Sequence, residues 1–244
     1  MTAAAEIAAA ARVLVAASYN IHKGVGSDGL RQPARILDVL DEIGADLAVL
    51  QEADHRFGIR HAVLPPALVA ERGWRPVPFD RAGVSLGWHG NAILVRGGLD
   101  VARHRRIRLP ALEPRGAVLA DVCLGPRLLR VVGMHLDLSG LRRLAQVRAI
   151  LRRVAAAPGD PPLLLMGDLN AWRADDPALG LLASGLMPVA LPPSFPARLP
   201  LGRLDRVFTS RGVEVLEAGV HASATARAAS DHLPVWVRLA LPAG

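Results

Sequence analysis

Cysteine is almost missing from this chain: Cys123 stands alone among 244 residues. One thiol excludes a disulfide framework and a cysteine-built metal site. The apolar run around it predicts a core position for Cys123. Lysine is equally scarce. Lys23 is the sole example, so arginine supplies nearly all of the 29 basic residues and of the net charge of +7. A pI near 11.1 favours polyanionic partners, although arginine in place of lysine also reads as a compositional habit. Aromatic residues make up 4%. Trp74, Phe79 and Trp88 are scattered, not gathered into the exposed hairpin or amphipathic segment of a membrane-active protein. No apolar run is long enough to span a bilayer. Met1–Ala11 is rich in alanine but has no basic start, and Arg12 breaks the run behind it, so it does not read as a signal peptide. The expectation is a cytoplasmic protein with no transmembrane segment and no implied protein partner. Residues 1–11 are read as a disordered or helical extension, and 12–244 as a single domain.

What is present is apolar. Hydrophobic residues make up 51%, enough for a large core without disulfides. Val13–Ser18 reads as a strand, Pro33–Gly44 as a helix and Asp46–Leu50 as a second strand, which argues for an α/β layered fold. A short helix is expected near Pro66–Arg72. The short apolar runs Gly90–Val95, Val101–Leu109, Gly116–Leu124 and Leu128–Leu136 read as an antiparallel meander. A helix follows, with Leu141, Leu144, Val147, Leu151 and Val154 on one face and Arg142, Arg143, Arg148, Arg152 and Arg153 on a solvated arc. Then comes Leu163–Met166, a strand buried on both faces that runs straight into Gly167-Asp168-Leu169-Asn170. A helix near Pro177–Ser184, a Pro-rich loop through Ser194-Phe195-Pro196-Ala197, a hairpin of Leu204–Phe208 with Val213–Val220, and the strand Val235–Leu239 close the chain. The order predicts two mostly antiparallel sheets packed face to face with helices outside, a four-layered α/β sandwich.

Eight polar residues stand at the ends of short apolar strands: Asn20, Glu52, His135, Asp168, Asn170, Asp205, Asp231 and His232. Each alone has a plain reading as a turn cap, a satisfied core histidine or a surface pair. As a set they supply what hydrolysis of a phosphate ester needs. Carboxylate oxygens hold Mg²⁺, which keeps several waters and takes one or two protein carboxylates. A histidine oriented by a carboxylate handles the water's proton. Amide, imidazole and guanidinium donors meet the growing charge. Zinc is disfavoured, because no His-x-x-x-His or Glu-x-x-His spacing appears on a helix.

In order along the chain, Ser18-Tyr19-Asn20-Ile21-His22, Gln51-Glu52, Gly90-Asn91-Ala92, Pro114-Arg115-Gly116, Met134-His135-Leu136, Gly167-Asp168-Leu169-Asn170, Leu204–Phe208 and Ser230-Asp231-His232-Leu233-Pro234 resemble the endonuclease/exonuclease/phosphatase superfamily, whose fold is that of pancreatic deoxyribonuclease. The resemblance covers Val13 to Leu239. It implies Glu52 as the main Mg²⁺ ligand, with Asn20 beside it and Asp231 contributing, and Mn²⁺ able to substitute. It implies His232 as general base oriented by Asp205, Asp168 and Asn170 as positioners of the water and scissile phosphate, and Arg115 as a phosphate contact. Where the deoxyribonuclease has a glutamate that orients its second histidine, this chain offers Asn91 and no carboxylate. An amide holds a cationic imidazole less strongly, so His135 is expected to act as a stabilising donor, and Asn91 as a further phosphate contact. The expected activity is a metal-dependent phosphodiesterase on nucleic acid. A phospholipid or inositol-phosphate hydrolase is the alternative, and a catalytically silent binding module is the least favoured. Arg103–Arg108 is the best candidate for a nucleic-acid contact or, equally, an exposed strand face.

Overall fold

The computed structural model describes residues 13–55, 60–80, 83–110 and 115–241, and the extension expected at 1–11 falls outside them. In chain order the elements are β1 (Val13–Asn20), α1 (Ala34–Ile43), β2 (Leu47–Gln51), α2 (Pro66–Glu71), β3 (Trp74–Pro76), β4 (Ala92–Arg96), β5 (Val101–Arg108) and β6 (Gly116–Leu124). They continue as β7 (Arg127–His135), α3 (Gly140–Ala155), β8 (Leu163–Asp168), α4 (Pro177–Ala183), β9 (Met187–Pro188), β10 (Asp205–Thr209), β11 (Glu214–Val220), α5 (Ala224–Ala229) and β12 (Val235–Ala240). The strands form two six-stranded sheets, ordered β11-β12-β1-β2-β4-β3 and β5-β6-β7-β8-β10-β9.

Each sheet has one parallel pair at its centre, β1 with β2 and β7 with β8, each joined by a helical crossover. Every other pairing is antiparallel. Parallel strands need such a crossover because a tight turn cannot return the chain in the same direction. One consequence governs function. The C-terminal ends of β1, β2, β7 and β8 share an edge with the starts of their antiparallel neighbours β12, β4, β6 and β10. Residues just after the first four strands and just before the second four are therefore gathered on that edge.

Strand alternation sorts the side chains into layers. Leu14, Ala16, Leu47, Val49 and Ile93 of one sheet meet Val118, Val131, Leu164, Met166 and Val207 of the other in the central core. Ala17, Tyr19, Ala48 and Leu50 point the opposite way, against Ile36, Leu37 and Leu40 of α1. Val132, Met134 and Leu165 pack against Val147 and Ile150 of α3. The result is helix, sheet, sheet, helix. The two sheets approach closely at Gly133, where a Cβ would stand 2.5 Å from Val49 Cγ1. β8 is buried along its whole length, as its unbroken apolar run implies.

Several expectations need correction. The run from Gly90 to Val95 is not part of the meander. As β4 it pairs with β2 in the first sheet, and the meander is β5-β6-β7. The strands at Asp205–Thr209 and Glu214–Val220 are no hairpin: β10 pairs with β8 and β9, and β11 pairs with β12 in the other sheet. On α3 the buried face carries Arg143, Gln146, Val147 and Ile150, while Leu141 is 84% exposed. Arg143 is thus a buried arginine, not part of a solvated arc. It donates to the carbonyls of Asp137 and Leu138 and to Asp176, the cap of α4. Gln146 accepts from the amide of Asp137. Burying these polar groups is tolerable because each is hydrogen-bonded, and together they fix the loop that follows His135. Cys123 is partly exposed, not a core residue. Arg103 and Arg105 lie on the exposed side of β5, an edge strand, where charge discourages pairing with another chain. No helix among the described residues is long and apolar enough to cross a membrane.

Candidate active site

The shared edge holds the residues singled out by sequence. Asn20 and Gln51 are register partners at the ends of β1 and β2, and Glu52 follows. His135 and Asp168 are register partners at the ends of β7 and β8, and Asp205 lies opposite Asp168 at the start of β10. Asp231 and His232 precede β12, Asn91 precedes β4, and Arg115 precedes β6.

Asp168 is the hub of one half of the site. It is 1% exposed. Its Oδ2 accepts from Asn20 Nδ2 at 3.0 Å and lies 3.4 Å from His135 Nε2 and 3.8 Å from His232 Nε2. Its Oδ1 accepts from the amide of Asn170 at 2.9 Å. Asn170 in turn donates to the carbonyl of Leu136 at 2.9 Å, tying the β8 turn to the loop behind His135. Gly167 makes this approach possible, because a Cβ there would stand 2.0 Å from the carbonyl oxygen of Met134. Asn170 and Glu52 both have left-handed backbones, with φ of 51° and 56°. Such conformations cost about 1–3 kcal/mol for non-glycine residues and concentrate at functional sites; asparagine bears them more easily than glutamate does.

His232 is held from behind. Its Nδ1 lies 2.9 Å from Asp205 Oδ2, which also accepts from the hydroxyl of Ser194. An Nδ1–H donated to Asp205 leaves Nε2 directed to the Asp168 side. Burial alone would favour the neutral ring, but the charge and hydrogen bond of Asp205, with the charges of Asp168 and Asp231, outweigh it and push the pKa up to about 9. The Phe195 ring packs on His232 at 4.6 Å, and Trp172 meets Phe195 edge-on at 5.8 Å.

The residues assigned to Mg²⁺ are oxygen donors. Glu52 Oε2 lies 2.7 Å from the ammonium of Lys23, so this carboxylate is already placed to hold a cation. Asn20 Oδ1 accepts from the amide of His22 at 3.1 Å, and Asp231 Oδ1 lies 3.8 Å from His22 Nδ1. Among the described residues no three His, Cys, Asp or Glu side chains form a ready metal cage. Few carboxylates, all hard oxygens, and a cation-holding glutamate suit Mg²⁺, which keeps much of its water, better than zinc.

Asn91 and Arg115 reach the same edge in different ways. Asn91 is fully buried, and its amide donates to the carbonyl of Gly116 at 2.9 Å, so it braces the turn that carries Arg115. Arg115 lines a cleft with Glu52 and His135. Lys23, Ser194 and Phe195 contact these residues although the strand-end rule did not select them, and Asp54, Arg60 and His89 line the cleft beside them. Ser194 and Phe195 sit in a Pro-rich loop far from any strand, and only tertiary hydrogen bonds bring that loop in: the amide of Ala197 donates to the carbonyl of Asp231, and that of Leu233 to the carbonyl of Ser194.

Two such sheets thus carry carboxylates, histidines and amides on one edge, and sequence comparison places the chain. The profile of the endonuclease/exonuclease/phosphatase family matches residues 17–232, and the chain belongs to that family. It is therefore placed among that superfamily's hydrolases. The uncharacterized protein YbhP of Escherichia coli is 26% identical over 241 residues, covering 92% of this chain and 95% of that protein. Among solved structures, TDP2 of D. rerio complexed with single-strand DNA product superposes with a TM-score of 0.71 at 19% identity, covering 93% of this chain and 98% of that one. A mannosyl-6-phosphatase of Bacteroides thetaiotaomicron gives 0.71 at 19%, covering 93% and 99%. At this identity the likeness is one of fold.

Proposed function

We propose that this protein is a Mg²⁺-dependent phosphodiesterase that cleaves its ester by in-line attack of water, with nucleic acid as the preferred substrate class. One observation carries the reading: Asp168 Oδ2 lies within 3.4 Å of one imidazole and 3.8 Å of another, while Asn20 links it to the strand next to Glu52. A scissile phosphate placed there would have His232 within reach of the attacking water and the His135 ring as a donor to its oxygens.

In this reading Glu52, Asn20 and Asp231 hold the cation. When bound, Mg²⁺ or Mn²⁺ polarises the phosphoryl oxygen, stabilises the leaving alkoxide and opposes the protonation of His232. His232 takes the proton of the water at Nε2, while Asp205 fixes its tautomer and balances its charge. Asp168 and Asn170 orient the water and the phosphate. His135 and Arg115 donate to the phosphoryl oxygens. A charge of +7 raises encounter with a polyanion. The TDP2 relative bound to single-strand DNA supports nucleic acid, and the mannosyl-6-phosphatase relative shows that the fold serves a sugar phosphate as well.

A second reading, a phospholipid or related apolar ester, is favoured by one feature. Trp172 is 61% exposed and reaches His232 through Phe195, and Leu199 and Leu201 are exposed on the same loop as Phe195. Purified protein with Mg²⁺ is to be tested on plasmid DNA, abasic DNA, RNA, phospholipid vesicles and inositol phosphates, with Glu52→Gln as control. Cation-dependent cleavage of a nucleic acid, absent in Glu52→Gln, is expected. Cleavage of vesicle lipid alone would select the second reading. Activity that survives both chelation and Glu52→Gln would overturn the mechanism.

A further inference from the structure

Beside Glu52 the edge opens into a cleft of about 410 Å³, lined among others by Lys23, Glu52, Arg60, His89, Arg115 and His135. One end belongs to the catalytic machinery through Glu52, Arg115 and His135. The other end, Arg60 and His89, has no part in breaking the ester.

Those two residues form a built unit. Arg60 Nη1 donates to His89 Nδ1 at 2.8 Å. The imidazole is neutral: burial, then the charges of Arg60, Arg108 and Arg106, push its pKa down to about 4. A neutral acceptor orients the guanidinium without cancelling its charge. Among the described residues no carboxylate stands within ion-pair reach of Arg60. The two acids of the cleft are engaged elsewhere. Glu52 holds Lys23, and Asp54 accepts from the amides of Leu86 at 3.0 Å and Gly90 at 3.2 Å. Those two bonds brace the loop that presents His89, whose backbone is itself left-handed at φ 49°. Gly87 lets the loop fold tightly, since a Cβ there would lie 1.9 Å from the carbonyl oxygen of Asn91. The braced His89 thus accepts from a guanidinium that has no carboxylate among the described residues within ion-pair reach, in a concave site. Such a group matches a phosphate, to which arginine donates in a planar, two-pronged fashion.

We propose that the Arg60 end of the cleft is a subsite for a second phosphate, so that the enzyme selects esters carrying a phosphomonoester close to the scissile group. The inference rests on the phosphoesterase reading above. The second phosphate comes either from the phosphorylated end of a nucleic acid strand or from a phosphorylated small molecule or headgroup. Both present the same dianion.

Two substrate pairs distinguish these sources: an oligonucleotide with a terminal phosphate against the same strand with a terminal hydroxyl, and phosphatidylinositol 4-phosphate against phosphatidylinositol. Wild type is expected to favour the phosphorylated member of one pair, and that pair identifies the source. Arg60→Ala should lose this preference by about 10- to 100-fold in kcat/KM, carried by KM, the effect of one charged hydrogen-bonding group. It should leave the other member unchanged, and Arg60→Lys should restore part of the loss. Independently of catalysis, calorimetry with pyrophosphate and metal-free protein should show the same loss of affinity in Arg60→Ala. Unchanged pyrophosphate affinity, or equal effects of Arg60→Ala on both members of each pair, would overturn the subsite. Loss of all hydrolysis with intact, Arg60-dependent pyrophosphate binding would instead refute the catalytic reading and keep the anion site.

Discussion

The charge state of His232 has a consequence for folding that can be measured without any substrate. In the unfolded chain the imidazole has a pKa of 6.5, and in the folded metal-free site it rises to about 9. The folded state therefore binds the proton more tightly. That contribution to stability is fully present below pH 6.5 and is lost as pH rises through 9. At about 1.4 kcal/mol for each factor of ten in proton affinity, it amounts to about 3 kcal/mol. For a chain of this size that is a melting shift of about 6–12 °C. Replacing His232 with Gln removes the titrating group while leaving an amide near Asp205. The assay is urea denaturation in EDTA at pH 6 and pH 9.5 for both proteins, since other groups also titrate and only the difference between the two isolates His232. Wild type should lose about 3 kcal/mol more than His232→Gln over that interval. Parallel losses would show that Asp205, Asp168 and Asp231 do not hold a proton on His232, and the electrostatic description of the site would fall.

Three further outcomes follow from the geometry. His232→Ala should slow hydrolysis by about 10²–10⁴-fold, as removal of a positioned base does, and His135→Ala by less, because in this reading His135 donates to the phosphate and does not take the water's proton; equal losses on one substrate would contradict the ranking. Gly167→Ala should destabilise the fold by about 3 kcal/mol or more, since its Cβ would lie 2.0 Å from the Met134 carbonyl oxygen, and a denaturation midpoint near wild type would refute that packing. Glu42 on α1 accepts from Ser223, which caps α5, and pairs with His221. Burial would raise its pKa, but hydrogen bonds from Ser223, Thr225 and His221 outweigh burial and bring it to about 2. The stabilisation it gives is present above pH 4.5 and is lost as pH falls through 2, so Glu42→Gln should flatten the acid limb of stability between those values.

The placement of these residues was legible in the sequence because the fold collects them by a simple rule. Asn20, His135 and Asp168 each end a parallel strand and Glu52 follows one, and a strand buried on both faces is an unbroken apolar run that sequence displays plainly. Asp205 and His232 precede the antiparallel neighbours, so they stand out for the same reason. Strand partners were not legible. β2 finds β4 across more than forty residues, and no local pattern distinguishes that pairing from a hairpin. The α3 face was misread because Arg143 and Gln146 look solvent-facing, yet they are buried to satisfy the carbonyl and amide groups of the loop after His135. Arg60, His89, Lys23 and Ser194 escaped notice because they sit in loops, where position is set by tertiary hydrogen bonds and not by periodicity.

The central claim is that a divalent cation and a phosphate meet at the edge where the two parallel pairs end. Anomalous scattering from crystals soaked in Mn²⁺ tests it most directly. The account predicts a peak bound by Glu52 with Asn20 or Asp231 nearby, and the release of Lys23 from the Glu52 carboxylate. A peak seated away from Glu52, with the Lys23–Glu52 pair intact in the Mn²⁺-bound crystal, would contradict it.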